Sequence, residues 1–144
     1  MWRHIERMPF LLDDKARNPF TFGAILSSSN AAAFALGNPP AGLVWFADIV
    51  PGETASGSIA LWGFRAYGRQ DLLKVIMEAV FQQYDLHRIY VLIPSPNLPS
   101  QRLATSLNFR QEGHIVEALR YNGAWTDVEI YSLLRRGTFY DRVV

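Results

Sequence analysis

The chain has 144 residues, 49% hydrophobic and 13% aromatic, which is enough for one domain with a sizeable core and excludes a wholly disordered chain. Its net charge is +1, so electrostatic attraction gives no reason to expect a nucleic-acid or membrane-surface partner. It has no cysteine, which excludes disulfides, thiolate nucleophiles and cysteine-zinc sites and fits a reducing, cytoplasmic compartment.

The first part of the chain combines a segment that is hard to assign with a clear hairpin signal. Residues 1–30 are predicted to be largely helical, with a break at Pro9, and their apolar side chains need burial against a sheet. No apolar run is long enough to cross a membrane, and no signal peptide is recognisable. Residues 31–36 and 42–50 flank a turn-rich stretch and are predicted to pair as an antiparallel hairpin.

The centre of the chain predicts a βαβ unit, in which a helix joins two parallel strands by a right-handed crossover. After a loop over residues 51–57, the first strand is predicted over residues 58–64 and a turn over residues 65–69. The helix is predicted over residues 70–84, because apolar residues recur there at helical spacing. The predicted buried stripe consists of Leu72, Val75, Ile76, Ala79 and Val80, widened by Leu73 and Met77.

The second strand of the unit is predicted over residues 88–93. This run is short and almost wholly apolar, which indicates a central strand covered on both faces. Three prolines between residues 94 and 99 prevent its continuation and predict a loop. A short helix is predicted next, over residues 100–107.

The C-terminal part predicts a second hairpin and a tail. Strands are predicted over residues 114–120 and 126–135, on either side of a turn at Asn122 and Gly123. By alternation, Val128, Ile130 and Ser132 share one face of the last strand, and Asp127, Glu129 and Tyr131 share the other. Residues 137–144 form the tail. Together these elements predict a single α/β domain over residues 1–144.

Several separated signals resemble the signature of the GCN5-related N-acetyltransferases, in the branch that acetylates ribosomal-protein N-termini and related amines. The main signal reads Asn97-x-x-Ser100-x-Arg102-Leu103-Ala104-x-x-Leu107-Asn108-Phe109-Arg110-x-Glu112-Gly113. It is preceded by Asp85-Leu86-His87-Arg88-Ile89 and followed by Tyr121-Asn122-Gly123-Ala124-Trp125-x-Asp127-x-x-x-Tyr131-x-Leu133-Leu134. The resemblance covers roughly the last two-thirds of the chain. It implies a mixed, mostly antiparallel sheet with a central pair of splayed parallel strands and helices on both faces.

The resemblance also implies where acetyl-CoA would bind. In the family, the pantetheine arm lies between the splayed strands, and the pyrophosphate meets backbone N–H groups at the start of the crossover helix. The family's loop pattern resembles (Q/R)-x-x-G-x-(G/A); Arg65 and Gly68 match it, while Gln70 stands where a small residue is usual. The implied cofactor-binding residues are Phe64, Arg65, Tyr67, Gly68, Arg69, Gln70, Asn97 and Ser100.

The resemblance assigns catalytic roles to Ser100 and Asp127. Ser100 would help the thiolate to leave, and Asp127, at a position that the family often fills with Asp, would accept the proton of the amine. The tyrosine that many relatives carry on this helix is missing, and Asn108 replaces a glycine at a left-handed helix end, which asparagine tolerates. In the structural alternative, Ser100 only caps the helix, Asn97 only forms a turn and Asp127 is only a solvated carboxylate.

Two functions fit these observations. The first is an N-acyltransferase that moves acetyl from acetyl-CoA to a primary amine of a protein or small molecule, by direct attack and without a metal. The second is a non-catalytic domain that keeps the fold as a structural component of a larger complex, such as a virion assembled in the cytoplasm. Gln70, the short N-terminal segment and the aromatic residues of the tail favour the second, and they predict a homo-oligomer or an assembly partner.

Overall fold

The computed structural model describes residues 29–37, 39–61 and 70–135, which form a six-stranded sheet and two helices. In chain order the elements are β1 (Ala32–Leu36), β2 (Gly42–Val50), β3 (Thr54–Leu61), α1 (Gln70–Tyr84), β4 (Arg88–Pro94), α2 (Leu98–Ser106), β5 (Arg110–Tyr121) and β6 (Ala124–Leu134). The strand order is β1-β2-β3-β4-β6-β5. β3 and β4 are parallel, and the other neighbouring strands are antiparallel. The predicted α/β class, with a mostly antiparallel sheet and a central parallel pair, is confirmed.

The two predicted terminal segments lie almost wholly outside the described residues. The segment over residues 1–30 is described at residues 29 and 30 alone, and the tail over residues 137–144 is not described. Both α1 and α2 contribute to one cluster of buried side chains on the sheet. Neither described helix is long and apolar enough to cross a membrane.

Both predicted hairpins are present. β1 and β2 pair antiparallel from Ala32 opposite Phe46 to Leu36 opposite Gly42. β5 and β6 meet at Asn122 and Gly123, whose φ angles are 50° and 77°. Positive φ at both central positions gives a two-residue turn whose twist matches that of the flanking strands, which is why Asn-Gly is a strong hairpin signal.

Helix α1 has the predicted bounds, and its buried face overlaps the predicted stripe without matching it fully. Its buried side chains are Leu73, Ile76, Met77, Val80 and Phe81. Val75, from the predicted stripe, is 65% exposed, and Ala79 is also exposed. The two sets of residues have the same i, i+3, i+4, i+7, i+8 spacing, so periodicity alone cannot choose between them. The buried set includes Phe81 and covers more apolar area, which decides the orientation. The predicted stripe is therefore wrong at Val75 and Ala79.

The first parallel strand begins earlier than predicted. β3 starts at Thr54, and Ser56 and Gly57, predicted as loop, pair with Ala47 and Phe46 of β2. The loop is thus shorter than residues 51–57, because the pairing with β2 overrides the low strand preference of serine and glycine. The predicted end of this strand at residue 64 lies outside the described residues.

The second parallel strand, β4, is unevenly buried. It pairs with β6 along its whole length, from Arg88 opposite Leu134 to Pro94 opposite Val128. Ile89 is fully buried, but Leu92, on the other face, is 49% exposed. The prediction that β4 is covered on both faces is therefore wrong at Leu92.

Helix α2 also begins earlier than predicted, at Leu98 rather than at residue 100. Its N-cap is Asn97, whose side-chain oxygen accepts the backbone N–H of Ser100 at 3.3 Å. Pro99 fits in the first turn, where its missing N–H costs no helical hydrogen bond. The structural alternative in which Ser100 caps the helix is therefore wrong. At the other end, Asn108 has a φ of 69°, which confirms the left-handed conformation predicted there.

Candidate active site

A cleft opens in the sheet where the two parallel strands separate. The β3–β4 ladder has three residue pairs and ends at Ser56 and Tyr90. Beyond it, β3 stays paired with β2, and β4 stays paired with β6. Within the described residues, the facing edges of β3 and β4 therefore carry backbone N–H and C=O groups that no strand pairs. The predicted splay of the parallel pair is confirmed.

Apolar side chains from the sheet and from both helices line this cleft. Among them are Val44 and Phe46 of β2, Leu73 and Met77 of α1, and Leu103 and Ala104 of α2. The cavity measures about 120 Å³, close in size to the ~150 Å³ apolar cavity that holds benzene in an engineered protein. The polar side chains of the described lining are Ser58, Asn97 and Ser100. Such a lining suits a mostly apolar organic chain that carries a few polar groups.

Asn97 and Ser100 reach the cleft because β4 ends in a tight turn that leads directly into α2. The Asn97 N–H donates to the Pro94 carbonyl at 2.8 Å, and the Ser95 N–H donates to the Asp127 carbonyl at 2.9 Å. Because Asn97 caps the helix, the Ser100 hydroxyl is not needed as a cap. Within the described part of the chain, no hydrogen bond engages that hydroxyl. Both predicted residues thus line the cleft, and the Ser100 hydroxyl can interact with a ligand.

The predicted phosphate loop precedes α1. Its residues Phe64, Arg65, Tyr67, Gly68 and Arg69 lie outside the described residues, so their roles stay predictions. Gln70 is the first residue of α1, and Leu73, within the same turn, lines the cleft. The N-terminus of α1 therefore borders the cleft, and the first backbone N–H groups of a helix have no partner within that helix.

Asp127, the predicted base, is not among the described residues that line the cleft. It belongs to a hydrogen-bonded group that we name the His114 cluster, formed by His114, Asp127, Glu129 and Ser95. His114 Nδ1 lies 2.7 Å from Glu129 Oε1, and His114 Nε2 lies 3.0 Å from Asp127 Oδ2. Ser95 Oγ donates to Glu129 Oε1 at 2.9 Å. The second oxygen of Asp127 accepts the backbone N–H of Glu117 at 2.8 Å.

These contacts shift the pKa values of three members of the His114 cluster. Hydrogen bonds to Glu129, and next to Asp127, raise the pKa of His114 above its ordinary value. The pKa of Asp127 is lowered, first by the N–H of Glu117 and then by His114, and the pKa of Glu129 is lowered, first by His114. A lowered pKa makes a carboxylate a weaker proton acceptor. Asp127 and Glu129 are therefore charged partners of His114 at neutral pH.

The sequence analysis did not find the His114 cluster, because β5 contains a bulge. Near the turn, Leu119 lies opposite Thr126, so an unbroken ladder would place Glu117 opposite Val128. Instead, Ile115 lies opposite Val128, so the pairing of β5 with β6 is shifted by two residues. This shift brings His114 opposite Glu129. Glu117, inside the bulge, has a φ of 48°. Nothing in the sequence marks a bulge at a residue other than glycine.

Comparison with known proteins gives matches among solved structures. No protein-family model matches the sequence, and no curated protein matches it. One matching structure is the acetyl transferase of Salmonella typhimurium that modifies the N-terminal serine of the 50S ribosomal protein L7/L12. It is 23% identical, the match covers 81% of this chain and 72% of that one, and the TM-score is 0.70.

Two further matches were solved with CoA. A ribosomal L7/L12 alpha-N-protein acetyltransferase in complex with coenzyme A is 23% identical, with 80% of this chain and 69% of that chain covered and a TM-score of 0.69. The spermidine N-acetyltransferase of Vibrio cholerae, in complex with CoA and spermine, is 21% identical, with 82% and 73% covered and a TM-score of 0.67. This chain therefore has the fold of the GCN5-related N-acetyltransferases.

Proposed function

We propose that this protein transfers an acetyl group from acetyl-CoA to a primary amine of a protein or small molecule. The cleft between β3 and β4 carries the proposal, because its unpaired strand edges offer backbone donors and acceptors to an extended chain such as pantetheine. Proteins of the same fold were solved with CoA in place, which supports the donor. They are named for acetylating spermidine and ribosomal L7/L12, which supports an amine acceptor.

The N-terminus of α1 is the proposed site of the CoA pyrophosphate. Backbone N–H groups of residues 68–70 would bind it, because a helix N-terminus combines unpaired donors with a favourable dipole. Asp71, in the first turn of α1, places a negative charge nearby, and the cationic side chains of Arg65 and Arg69 would offset it. The proposed cofactor-binding residues are Phe64, Arg65, Tyr67, Gly68, Arg69, Gln70, Asn97 and Ser100.

The reaction forms a bond between the amine nitrogen and the acetyl carbonyl carbon and breaks the carbon–sulfur bond. The amine loses a proton, and the departing sulfur carries negative charge until it gains one. We assign the Ser100 hydroxyl, which lies in the cleft, to donate a hydrogen bond to that sulfur. Asp127 is the proposed proton acceptor. Since it lies outside the described cleft lining, the proton would reach it through solvent.

Calorimetric titration with acetyl-CoA tests the proposal. We expect one binding site per chain with a micromolar Kd, followed by acetylation of an amine in a panel that includes spermidine and a peptide with an N-terminal serine. Mass spectrometry of the panel detects the product. Thr105→Ala is the matched control for removal of the Ser100 hydroxyl. The Thr105 hydroxyl is on the same helix, α2, but it is exposed and donates to the Gln101 carbonyl at 3.1 Å.

No binding at millimolar acetyl-CoA would contradict the proposal. That result would favour the second function considered from the sequence, a non-catalytic domain within a larger complex. Binding without acetylation of any amine in a broad panel would support the cofactor site and count against the amine acceptor.

A further inference from the structure

We infer that the cleft accepts acyl groups longer than acetyl, and that propionyl-CoA and butyryl-CoA are bound more tightly than acetyl-CoA. This rests on the proposed function and concerns the closed end of the cleft. There, Gly57 is the first residue of β3 beyond the last parallel pair, Ser56 opposite Tyr90. Val91 holds the corresponding position on β4.

The acyl group would reach this closed end if CoA lies as proposed. The pyrophosphate would sit at the N-terminus of α1, and the pantetheine arm would run along the unpaired edges of β3 and β4. The arm points from the helix toward the place where the two strands meet. The acyl group, which extends beyond the sulfur at the far end of the arm, therefore lies beside Gly57 and Val91.

Because Gly57 has no side chain, it leaves a methyl-sized hollow in the wall at this point. A Cβ atom on Gly57 would lie 3.4 Å from Val91 Cγ1, 3.5 Å from Ile89 Cγ2 and 3.5 Å from Phe46 Cε1. These are ordinary van der Waals distances, so a side chain at Gly57 would point between those three residues. All four residues line the cleft, so a side chain at Gly57 would border the cavity.

The walls of the hollow suit a hydrocarbon chain. Phe46, Ile89 and Val91 form its sides, and Met77 of α1 faces the same cleft. The unbranched thioether of Met77 can adapt to chains of different length. An acetyl group offers one methyl to these walls, whereas propionyl and butyryl add one and two methylenes. Each buried methylene contributes about 0.8 kcal/mol, which corresponds to roughly a fourfold lower Kd.

The test is a calorimetric series with CoA, acetyl-CoA, propionyl-CoA, butyryl-CoA and hexanoyl-CoA in the absence of an amine. For the natural sequence, Kd should fall about 15-fold from acetyl-CoA to butyryl-CoA, the effect of two buried methylenes. Gly57→Ala should reduce the difference in Kd between acetyl-CoA and butyryl-CoA, because its methyl group fills part of the hollow. Gly57→Val should remove that difference, because its side chain is larger. For each variant, the Kd for CoA without an acyl group is the reference from which the effect of acyl length is calculated.

Gly113→Ala is the matched control, a glycine-to-alanine change in β5, away from the cleft, where the new Cβ would meet the flexible end of Ile130. It should keep the natural dependence on acyl length. Thermal unfolding verifies that each variant folds. If CoA binds but Kd does not depend on acyl length, the inference is overturned and the proposed function stands. If no CoA species binds, the proposed function and this inference both fail.

Discussion

Among the described residues, none forms a hydrogen bond with the Ser100 hydroxyl in the cleft, and Asn97 rather than Ser100 caps α2. If that hydroxyl stabilises the departing sulfur, Ser100→Ala should lower kcat for acetyl transfer roughly 10- to 100-fold, the effect of one hydrogen bond to a charged group. KM for acetyl-CoA should change much less. Steady-state kinetics against Thr105→Ala, which removes an exposed hydroxyl from the same helix, measures the difference. An unchanged kcat would leave Ser100 without a role in the reaction.

The His114 cluster predicts a dependence of stability on pH. The pKa of His114 is raised in the folded state, so its contribution is fully present below its unfolded pKa near 6.5 and is lost as pH rises through the folded value. The lowered pKa values of Asp127 and Glu129 give a contribution that is lost as pH falls through their folded values. The cluster should stabilise the protein most in mildly acidic solution, where the carboxylates are ionised and His114 is charged.

His114→Gln should therefore destabilise the protein at pH 6 and have a smaller effect at pH 9. Urea unfolding at the two pH values measures this, and NMR titration of the imidazole checks the direction of the pKa shift. His87→Gln controls for the loss of an exposed histidine. Equal destabilisation by His114→Gln at both pH values would show that the ion pairs contribute nothing and that His114 acts by packing alone.

Residue roles are predictable from the sequence where a local rule governs them. Asn108 and Gly123 adopt the left-handed conformations expected of them, because each depends on a turn or a helix end only a few residues long. The capping role of Asn97 and the pairing of His114 with Glu129 were missed for different reasons. The first needs a choice between two good N-cap residues three positions apart. The second depends on a bulge, which is decided by packing across the sheet.

At the scale of elements, α2 provides a direct test of the capping assignment. Asn97→Ala should lower the free energy of unfolding by about 1 kcal/mol, the usual cost of losing an N-cap side chain. Asn97→Asp keeps an oxygen acceptor for the Ser100 N–H and should retain most of the stability. Thermal unfolding without ligand compares the two variants. Equal losses in both would show that the side chain does not stabilise the helix through this hydrogen bond.

The bounds of the elements were predicted best where local and tertiary signals agree. The range of α1 is the predicted one, since its apolar periodicity and its first and last residues are local features. The predicted stripe of α1 contained four of its five buried residues but missed Phe81, because two stripes of equal spacing compete and only the packing against the sheet selects between them. The predicted start of β3 was too late for a related reason. Its first residues form a strand because they pair with β2, and not because their own strand preference is high.

At the scale of the whole molecule, the order of elements predicted the α/β class, and the family resemblance predicted the cleft. Few arrangements of a mixed sheet are compatible with a hairpin, a βαβ unit and a second hairpin in this order. The resemblance of the segment after β4 to the acetyltransferase signature selects one of them. The walls of the cleft were not predicted. Phe46, Gly57 and Leu73 come from β2, β3 and α1, and no motif links them.

The short β3–β4 ladder would make the stability of the protein in the cell depend on its ligand. Within the described residues, the ladder has three residue pairs and joins the sheet half formed by β1 to β3 to the half formed by β4 to β6. A pantetheine arm bonded to both edges would extend that connection, so that the ligand would act as an additional strand. Ligands that bind only the folded state shift the folding equilibrium by mass action. The abundance of the protein would then rise and fall with the supply of acyl-CoA.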